Sequence, residues 1–308
     1  MKQRKANPAT PSQLRPPIPL LNIARLLINR EDEVMGIVAA IVARQHSFLY
    51  GPPGVAKSLL ARLICSHIRG AEYFEYLLHP HSTPDELFGP LDVLAFREGK
   101  FRRIMNGRLP CAHIAFIDEI WNASSMVLNA LLSIINERKF MDYEMVRVPL
   151  ISMITASNSF PTDDALKAFY DRILLRFPVE HLSLEMYPAV LDVPDVPVVV
   201  QDWVVDVREI EEMSEFLPNV KVSGEIIAKL LQIIDKAKSV TKEQISERRF
   251  KGIVKLIRAY ALIQGREEVL NEDLHIVKYC IWNKDDEFKK TERFVDEIAD
   301  PSLLQAKE

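Results

Sequence analysis

The sequence predicts an α/β protein in which a parallel sheet, covered by helices on both faces, is followed by a smaller all-helical domain. Up to about residue 180, short apolar runs typical of buried strands alternate with helical patterns, and this alternation is the mark of parallel sheets. From residue 223 onward, apolar residues recur at helical spacing. The chain has 308 residues and is 48% hydrophobic, which is enough for a substantial core.

The order of the elements follows from this pattern. We predict helices over residues 20–44, 58–69, 225–235, 247–264 and 273–282, and buried strands over residues 47–50, 113–117 and 150–157. Helix starts are marked by residues that favour the N-cap position, which are Thr83 (with Glu86 completing a capping box), Asn122, Ser246 and Asn271.

The chain divides into five parts by composition. Residues 1–19 contain five prolines and no acid, and are predicted to be a disordered tail. The α/β core is expected over residues 20–182, an irregular connection over 183–222 and the helical domain over 223–285. Residues 286–308 carry mixed charges and are predicted to form a solvated helix or tail.

Composition narrows the classes of function. The formal net charge is -4, whereas proteins that hold DNA by neutralising phosphates usually carry a basic excess. Nucleic-acid binding is therefore not implied, although a local basic patch remains open. The three isolated cysteines, Cys65, Cys111 and Cys280, favour free thiols in a reducing compartment. Without an apolar signal segment or a membrane-spanning run, we expect a soluble cytoplasmic protein.

The strongest motif is the string Gly51-Pro52-Pro53-Gly54-Val55-Ala56-Lys57-Ser58, which follows a strand and opens a helix. Backbone N–H groups and a helix N-terminus in this context can surround a triphosphate. Lys57 would reach the β and γ phosphates, and the Ser58 hydroxyl would bind Mg²⁺. The predicted nucleotide-binding residues are Gly51, Pro52, Pro53, Gly54, Val55, Ala56, Lys57, Ser58, Leu59 and Asp118.

One position departs from the usual phosphate-loop pattern, because Ala56 stands where the second glycine is expected. Alanine is acceptable there if its φ angle is negative and its methyl group faces away from the phosphates. We therefore predict a negative φ at Ala56.

Two adjacent carboxylates end the apolar strand at residues 113–117. Asp118 is placed to hold Mg²⁺ and Glu119 to polarise the attacking water. The plainer interpretation is a strand end with solvated acids. A phosphate loop earlier in the chain makes this interpretation less favoured, because the loop and the two acids would meet in one crevice at the carboxyl edge of the sheet.

These motifs, together with STPDELFGPL, FIDEIWNASSMVLNALLSIINER, ASN and YDR, resemble the MoxR family of AAA+ ATPases, most closely its RavA branch, over residues 23–285. The resemblance includes the alanine at position 56. It implies a P-loop AAA+ core with a parallel five-stranded sheet and a helical lid. It also implies ATP and Mg²⁺ as ligands, a homo-hexameric ring, and a partner with a von Willebrand A domain.

The resemblance also assigns roles to polar residues beyond the loop. Asn158 matches sensor 1, which orients the attacking water, and Arg172 matches the arginine finger that enters the neighbouring subunit's site. Arg248 matches sensor 2, with Arg249 as the competing candidate. The alternatives are an ordinary turn residue for Asn158 and solvated charges for the arginines.

Two hairpins fit insertions known in the family. Residues 91–105, predicted to turn near Gly99, resemble the helix-2 insertion, and residues 139–148 resemble the hairpin before sensor 1. The first is made basic by Lys100, Arg102, Arg103 and Arg108. Each could be a solvated edge hairpin or a loop that grips a partner protein.

Three hypotheses of function follow. The favoured one is a chaperone-like ring ATPase that remodels a partner protein. A nucleic-acid motor is supported by the basic hairpin and opposed by the net charge. A nucleotide-gated scaffold without hydrolysis is opposed by the presence of Glu119, Asn158 and Arg172.

Overall fold

The computed structural model describes residues 18–193 and 198–299. Most of the predicted proline-rich tail, the middle of the connecting segment and the last nine residues of the chain lie outside these ranges. None of the helices in the described ranges combines the length and hydropathy needed to cross a bilayer.

The described residues form nine strands and eleven α-helices. The strands are β1 Ser47–Tyr50, β2 Ile68–Arg69, β3 Tyr73–Leu77, β4 Ile114–Asp118, β5 Lys139–Met141, β6 Met145–Arg147, β7 Ser152–Ser157, β8 Leu175–Pro178 and β9 Val205–Asp206. The helices are α1 Glu31–Val42, α2 Lys57–Ser66, α3 Pro84–Phe88, α4 Val93–Arg97, α5 Ser125–Glu137, α6 Asp164–Tyr170, α7 Tyr187–Val190, α8 Val207–Phe216, α9 Gly224–Thr241, α10 Glu247–Ile263 and α11 Asp285–Ala299. Short 3₁₀ segments span Pro19–Leu26, Leu109–Cys111, Ile120–Asn122, Leu184–Met186, Gln201–Trp203, Leu217–Asn219 and Asn271–Cys280.

The central sheet has five parallel strands in the order β3-β4-β7-β1-β8, which confirms the predicted fold class. Tyr50 at the end of β1 pairs with Ser157 at the end of β7. Asp118 at the end of β4 pairs with Leu77. The carboxyl ends of β1, β4 and β7 therefore meet at one edge, where ligands of open α/β sheets bind.

Alternation along the strands builds a separate apolar core on each face of the sheet. Leu49 of β1 belongs to the core shared with α1, α2 and the helical region. Phe48, one residue earlier, belongs to the core under α5 and α6. Because successive side chains of a strand point to opposite faces, the sheet is buried on both sides.

The helical region is fastened to the sheet through a buried arginine. Arg176 of β8 is fully buried, and its Nη2 donates to the Tyr170 carbonyl at 3.0 Å. Its Nη1 donates to the carbonyl of Trp282, whose indole N–H returns a bond to the Arg176 carbonyl at 3.0 Å. Burial, and secondly the charge of Arg249, lowers the pKa of Arg176 to about 9.

Several predicted helix boundaries are wrong. The helix expected over residues 20–44 is two segments, a 3₁₀ segment and α1, separated by Asn29 with φ 54°. Helix α5 is capped by Ser124, whose hydroxyl accepts from the Val127 N–H, because Asn122 already lies in a 3₁₀ turn. Likewise the segment from Asn271 follows Leu270 as its cap residue and is a 3₁₀ helix. The predicted cap at Ser246 is present.

The first predicted hairpin is also wrong. Residues 93–97 form helix α4, because the Asp92 carboxylate accepts bonds from the N–H groups of Leu94 and Ala95 and so caps a helical turn. A single bridge between Leu91 and Arg103 is what remains of strand pairing. The second hairpin is present as β5 and β6. From residue 285 the chain is helical, and α11 buries Phe294 and Val295 rather than being wholly solvated.

Candidate functional site

The loop between β1 and α2 holds its lysine in a desolvated position. Lys57 is the first residue of α2 and is 8% exposed. Its Nζ donates to the carbonyls of Gly51 and Pro52 at 2.6 and 2.9 Å. A Cβ at Gly51 would lie 2.1 Å from the Val179 carbonyl oxygen, so only glycine fits there. The ammonium group of Lys57 thus lies against the backbone of the loop, at the carboxyl edge of the sheet.

The prediction of a negative φ at Ala56 is wrong. Ala56 has φ 64° and ψ 24°, a left-handed conformation that costs an alanine about 1 kcal/mol. Gly54 also has a positive φ, 83°. Left-handed residues in such loops turn backbone N–H groups toward a bound anion. Ala56 is exposed, so its methyl group meets solvent and the strain is confined to the backbone.

The two acids at the end of β4 approach the loop lysine. Burial lowers the pKa of Lys57, and the nearby carboxylates of Asp118 and Glu119 oppose that shift. Glu119 has φ 50° and ψ 47°, a rare conformation for a non-glycine residue, and strained residues cluster at functional sites. Its N–H donates to Asp118 Oδ1 at 3.0 Å. Both acids are half-buried.

Ser157 is a residue that the sequence analysis missed. Its hydroxyl donates to Glu119 Oε2 at 3.1 Å and it is fully buried at the end of β7. Nothing in a serine at a strand end signals this contact, because it joins residues 38 positions apart. The next residue, Asn158, is exposed and lines a cleft of about 510 Å³ beside Gly51 and Pro52.

A second cavity, of about 370 Å³, adjoins the other side of the loop and was not foreseen either. It touches the loop at Gly54, Val55 and Ala56. The rest of its wall is mainly apolar and comes from three separate parts of the chain; these residues are Leu27, Ile28, Arg30, Leu59, His181, Leu182, Tyr187, Val190 and Val193. We call it the apolar cavity. Its walls are contributed by residues up to 166 positions apart, so no local pattern could reveal it.

The predicted arginines lie at the opposite edge of the sheet. Arg172 and Arg248 line a cavity of about 650 Å³ that also includes His46, which precedes β1, and Leu174, which precedes β8. Seven arginines and lysines and two acids line this basic cavity. It shares no lining residue with the cleft at Asn158. The candidate site is therefore divided between two edges of one sheet.

The two candidates for sensor 2 differ in burial and in their hydrogen bonds. Arg248 is 56% exposed and its Nη2 donates to Asp171 Oδ2 at 2.8 Å. Arg249 is 8% exposed and donates through Nε to the Cys280 carbonyl at 2.8 Å. Arg249 is thus bonded to the backbone, whereas more than half of the Arg248 side chain is exposed; the assignment of Arg248 to sensor 2 stays a prediction. Burial, followed by the charge of Arg248, lowers the pKa of Arg172.

Comparison with known families shows which family the chain belongs to. Residues 18–212 match the family model of the MoxR domain in the MoxR-vWA-beta-propeller ternary systems, and residues 225–295 match an AAA lid domain. The chain belongs to the MoxR family of AAA+ ATPases. The lid match extends into α11, which buries Phe294 and Val295.

Relatives of this MoxR chain include proteins from archaea and bacteria. It is 40% identical to the uncharacterized protein MJ0812 of Methanocaldococcus jannaschii over 85% of this chain and 70% of that protein. It is 20% identical to chaperone MoxR1 of Mycobacterium tuberculosis over 83% of this chain and 71% of that protein. A solved structure of a candidate ATPase from Cytophaga hutchinsonii aligns with TM-score 0.71 and 16% identity, covering 91% of this chain and 92% of that one. That likeness supports the fold alone.

The residues at the carboxyl edge suit a magnesium ion that is bound together with phosphates. Within residues 18–193 and 198–299, no group of three or more His, Cys, Asp or Glu side chains is arranged as a metal site. Mg²⁺ in nucleotide sites typically takes one or two protein oxygens and completes its shell with water and phosphate. The Ser58 hydroxyl and the Asp118 carboxylate match that donor set.

The two left-handed loop residues give a matched pair of stability predictions. We expect Ala56→Gly to raise the free energy of unfolding by about 1 kcal/mol, because glycine adopts φ 64° without strain. Gly54→Ala should lower it by about 1 kcal/mol, since no atom lies within 4 Å of the added Cβ and only the backbone is strained. Urea unfolding of the nucleotide-free protein measures both. A loss of stability in Ala56→Gly would contradict the left-handed conformation.

Proposed function

We propose that this MoxR protein hydrolyses ATP as a subunit of a homo-hexameric ring in the cytoplasm, each site being completed by the next subunit. The observation that carries the proposal is the division of charged residues between opposite edges of the sheet. Strands β1 and β8 have four residues each, so about 13 Å of strand separates Arg172 from the loop of its own chain. The arginines serve a site on another chain.

At the carboxyl edge, each residue has a task set by its position. Lys57 would exchange its two carbonyl partners for the β and γ phosphates. Ser58 and Asp118 would hold Mg²⁺, which neutralises phosphate charge. Glu119, oriented by Ser157, would accept a proton from the attacking water.

Two further groups would fix the reacting atoms. Asn158, exposed in the adjoining cleft, would orient the water with its amide. Arg172 and Arg248 of the next subunit would stabilise the charge that develops on the γ-phosphate. An arginine finger supplied in this way typically accelerates phosphoryl transfer by about 10³–10⁵-fold.

The apolar cavity is the place we assign to the adenine base. The cavity adjoins Gly54, Val55 and Ala56, so an adenine base bound in it would lie next to phosphates bound at the loop. Its lining offers the imidazole of His181 and the ring of Tyr187 among aliphatic side chains. Such mainly apolar cavities with few polar groups are typical of base and cofactor sites.

The two insertions form a composite surface suited to a protein partner. The Arg103 N–H donates to Asp142 Oδ2 at 3.1 Å, and the rings of Phe88 and Phe140 stack at 4.9 Å. The first contact joins the segment around α4 to the β5–β6 hairpin, and the second joins α3 to the same hairpin. We call the exposed apolar residues around them the insertion surface; they are Val93, Leu94, Phe96, Phe101, Ile104, Met141, Tyr143 and Met145. Concentrated exposed apolar residues mark interaction sites.

We propose that this surface engages a von Willebrand A domain protein, and that ATP turnover remodels it. Support comes from the matched family, whose description places its MoxR domain in systems with a vWA and a beta-propeller component. Membership of the RavA branch within the family stays a prediction that rests on the sequence strings alone.

The first test concerns the base. Glu119→Gln should bind ATP with Mg²⁺ as the unchanged protein does, yet hydrolyse it at least about 100-fold more slowly, because the amide cannot accept the proton. Nucleotide binding and phosphate release are measured on the same preparation. Turnover near that of the unchanged protein would rule Glu119 out as the base.

The second test concerns completion of the site in trans. Arg172→Ala and Lys57→Ala subunits should each be nearly inactive alone, and mixtures should regain part of the phosphate release. A Lys57→Ala subunit still presents Arg172 to an intact phosphate loop on its neighbour. Arg172→Ala mixed with Arg172→Lys serves as a control with no intact finger. Absence of recovery at every mixing ratio would contradict the division of the site.

The third test concerns the insertion surface. Phe96→Asp with Phe101→Asp should abolish stimulation of ATP turnover by the von Willebrand A protein of the same ternary system, while basal turnover is kept. Leu184→Asp with Leu191→Asp is the matched control, since both leucines are more than 80% exposed but lie outside the insertions. Equal loss in both pairs would count against a specific docking surface.

A further inference from the structure

Arg172 is held by one neutral side chain from another helix. The Nε of Arg172 donates to Asn136 Oδ1 at 3.0 Å, and its Nη1 donates to the Ala168 carbonyl. Asn136 lies in the last turn of α5, 36 positions earlier in the chain. We propose that Asn136 is a positioning residue for the arginine finger: it aims the guanidinium of Arg172 at the neighbouring subunit's nucleotide. The inference rests on the proposed completion of the site in trans.

The chemistry of an amide suits this task better than that of a carboxylate. A guanidinium has five N–H donors, and the bonds to Asn136 and Ala168 leave three of them for phosphate oxygens. A carboxylate at position 136 would form an ion pair with Arg172 and compete with the phosphate for the same charge. The neutral amide fixes the direction of the side chain and leaves its charge available.

Asn136 can aim another group because its own backbone is fixed. Helix α5 ends at Glu137, and the C-cap residue that follows, Arg138, is left-handed with φ 55°. The Arg138 guanidinium donates to the carbonyls of Arg44 at 3.2 Å and Ile151 at 3.3 Å, which precede β1 and β7. The end of α5 is thus tied to the amino edge of the sheet, beside the basic cavity.

The amino end of α5 follows closely in sequence after Glu119, the proposed catalytic base. Ser124 caps α5 five residues after Glu119. A 13-residue helix is about 20 Å long, so α5 reaches from the acid of its own subunit's site to the arginine offered to the neighbouring site. Asn136 is thus the residue through which α5 contacts Arg172.

A double-mutant cycle tests the assignment. Asn136→Ala should lower kcat about 5- to 10-fold, the usual size of one hydrogen bond, with KM for ATP changed less than twofold. In an Arg172→Ala background the same change should have no further effect, because the group it positions is gone. Asn136→Asp should also lower kcat, although it keeps an acceptor. Asn129→Ala, an exposed asparagine on the same helix, is the control and should match the unchanged protein.

Mixed assemblies provide a measurement of turnover that would not change if Asn136 had only a structural role. Asn136→Ala subunits should regain turnover when mixed with Lys57→Ala subunits, as we expect of Arg172→Ala subunits. The proposal is overturned if Asn136→Ala lowers kcat equally with and without Arg172, or leaves kcat unchanged while Arg172→Ala abolishes it. Normal turnover of Arg172→Ala would instead refute the proposed role of Arg172 in the neighbouring subunit's site. The proposed role of Asn136 would then be refuted as well. Thermal unfolding of each variant, with Asn136→Ser as a milder substitution, tests whether misfolding is the cause.

Discussion

The parallel direction of the five strands is the constraint on which the rest of the structure depends. All carboxyl ends meet at one edge, so the loop after β1, the acids after β4 and Asn158 after β7 come together although they lie far apart in sequence. All amino ends meet at the other edge, where Arg172 precedes β8. A rigid sheet cannot bring its two edges together. Chemistry that needs both sets of residues therefore needs two copies of the chain.

The charged groups at the two edges of the sheet also complement each other. At the carboxyl edge Lys57 is desolvated beside two carboxylates, and at the other edge cations crowd around Arg172. Burial and neighbouring arginines lower the pKa values of Arg172 and, to about 10, of Arg138. A neighbouring subunit's triphosphate would relieve that repulsion. Nucleotide binding and subunit contact should consequently favour each other, as reciprocal linkage requires.

Contiguous motifs were predictable from the sequence, and contacts between distant segments were not. The loop from Gly51 to Ser58 and the Asp118–Glu119 pair were found because strand, turn and helix signals surround them. The φ of Ala56 was misjudged because the prediction rested on sterics, which disfavour a left-handed alanine, whereas the phosphate-loop backbone adopts that conformation here despite its cost. The α4 helix was missed because its alternating residues suggested a strand, and the local cap at Asp92 outweighed that pattern. Ser157 and Asn136 act across 38 and 36 positions, which no local pattern encodes.

Helix α5 suggests how a partner could influence catalysis. Its amino end follows Glu119, its last turn contacts Arg172 through Asn136, and the chain continues directly into the β5–β6 hairpin of the insertion surface. Packed helices shift as units, because close-packed interiors resist continuous deformation. Because Arg138 ties this end of α5 to the sheet, a load on the hairpin would act against those bonds, and a shift of the end of α5 would change the fit of Arg172 in the neighbouring site. In the reverse direction, a change at Glu119 on hydrolysis would reach the partner along the same helix. A single helix thus links the acid, the arginine and the proposed docking surface.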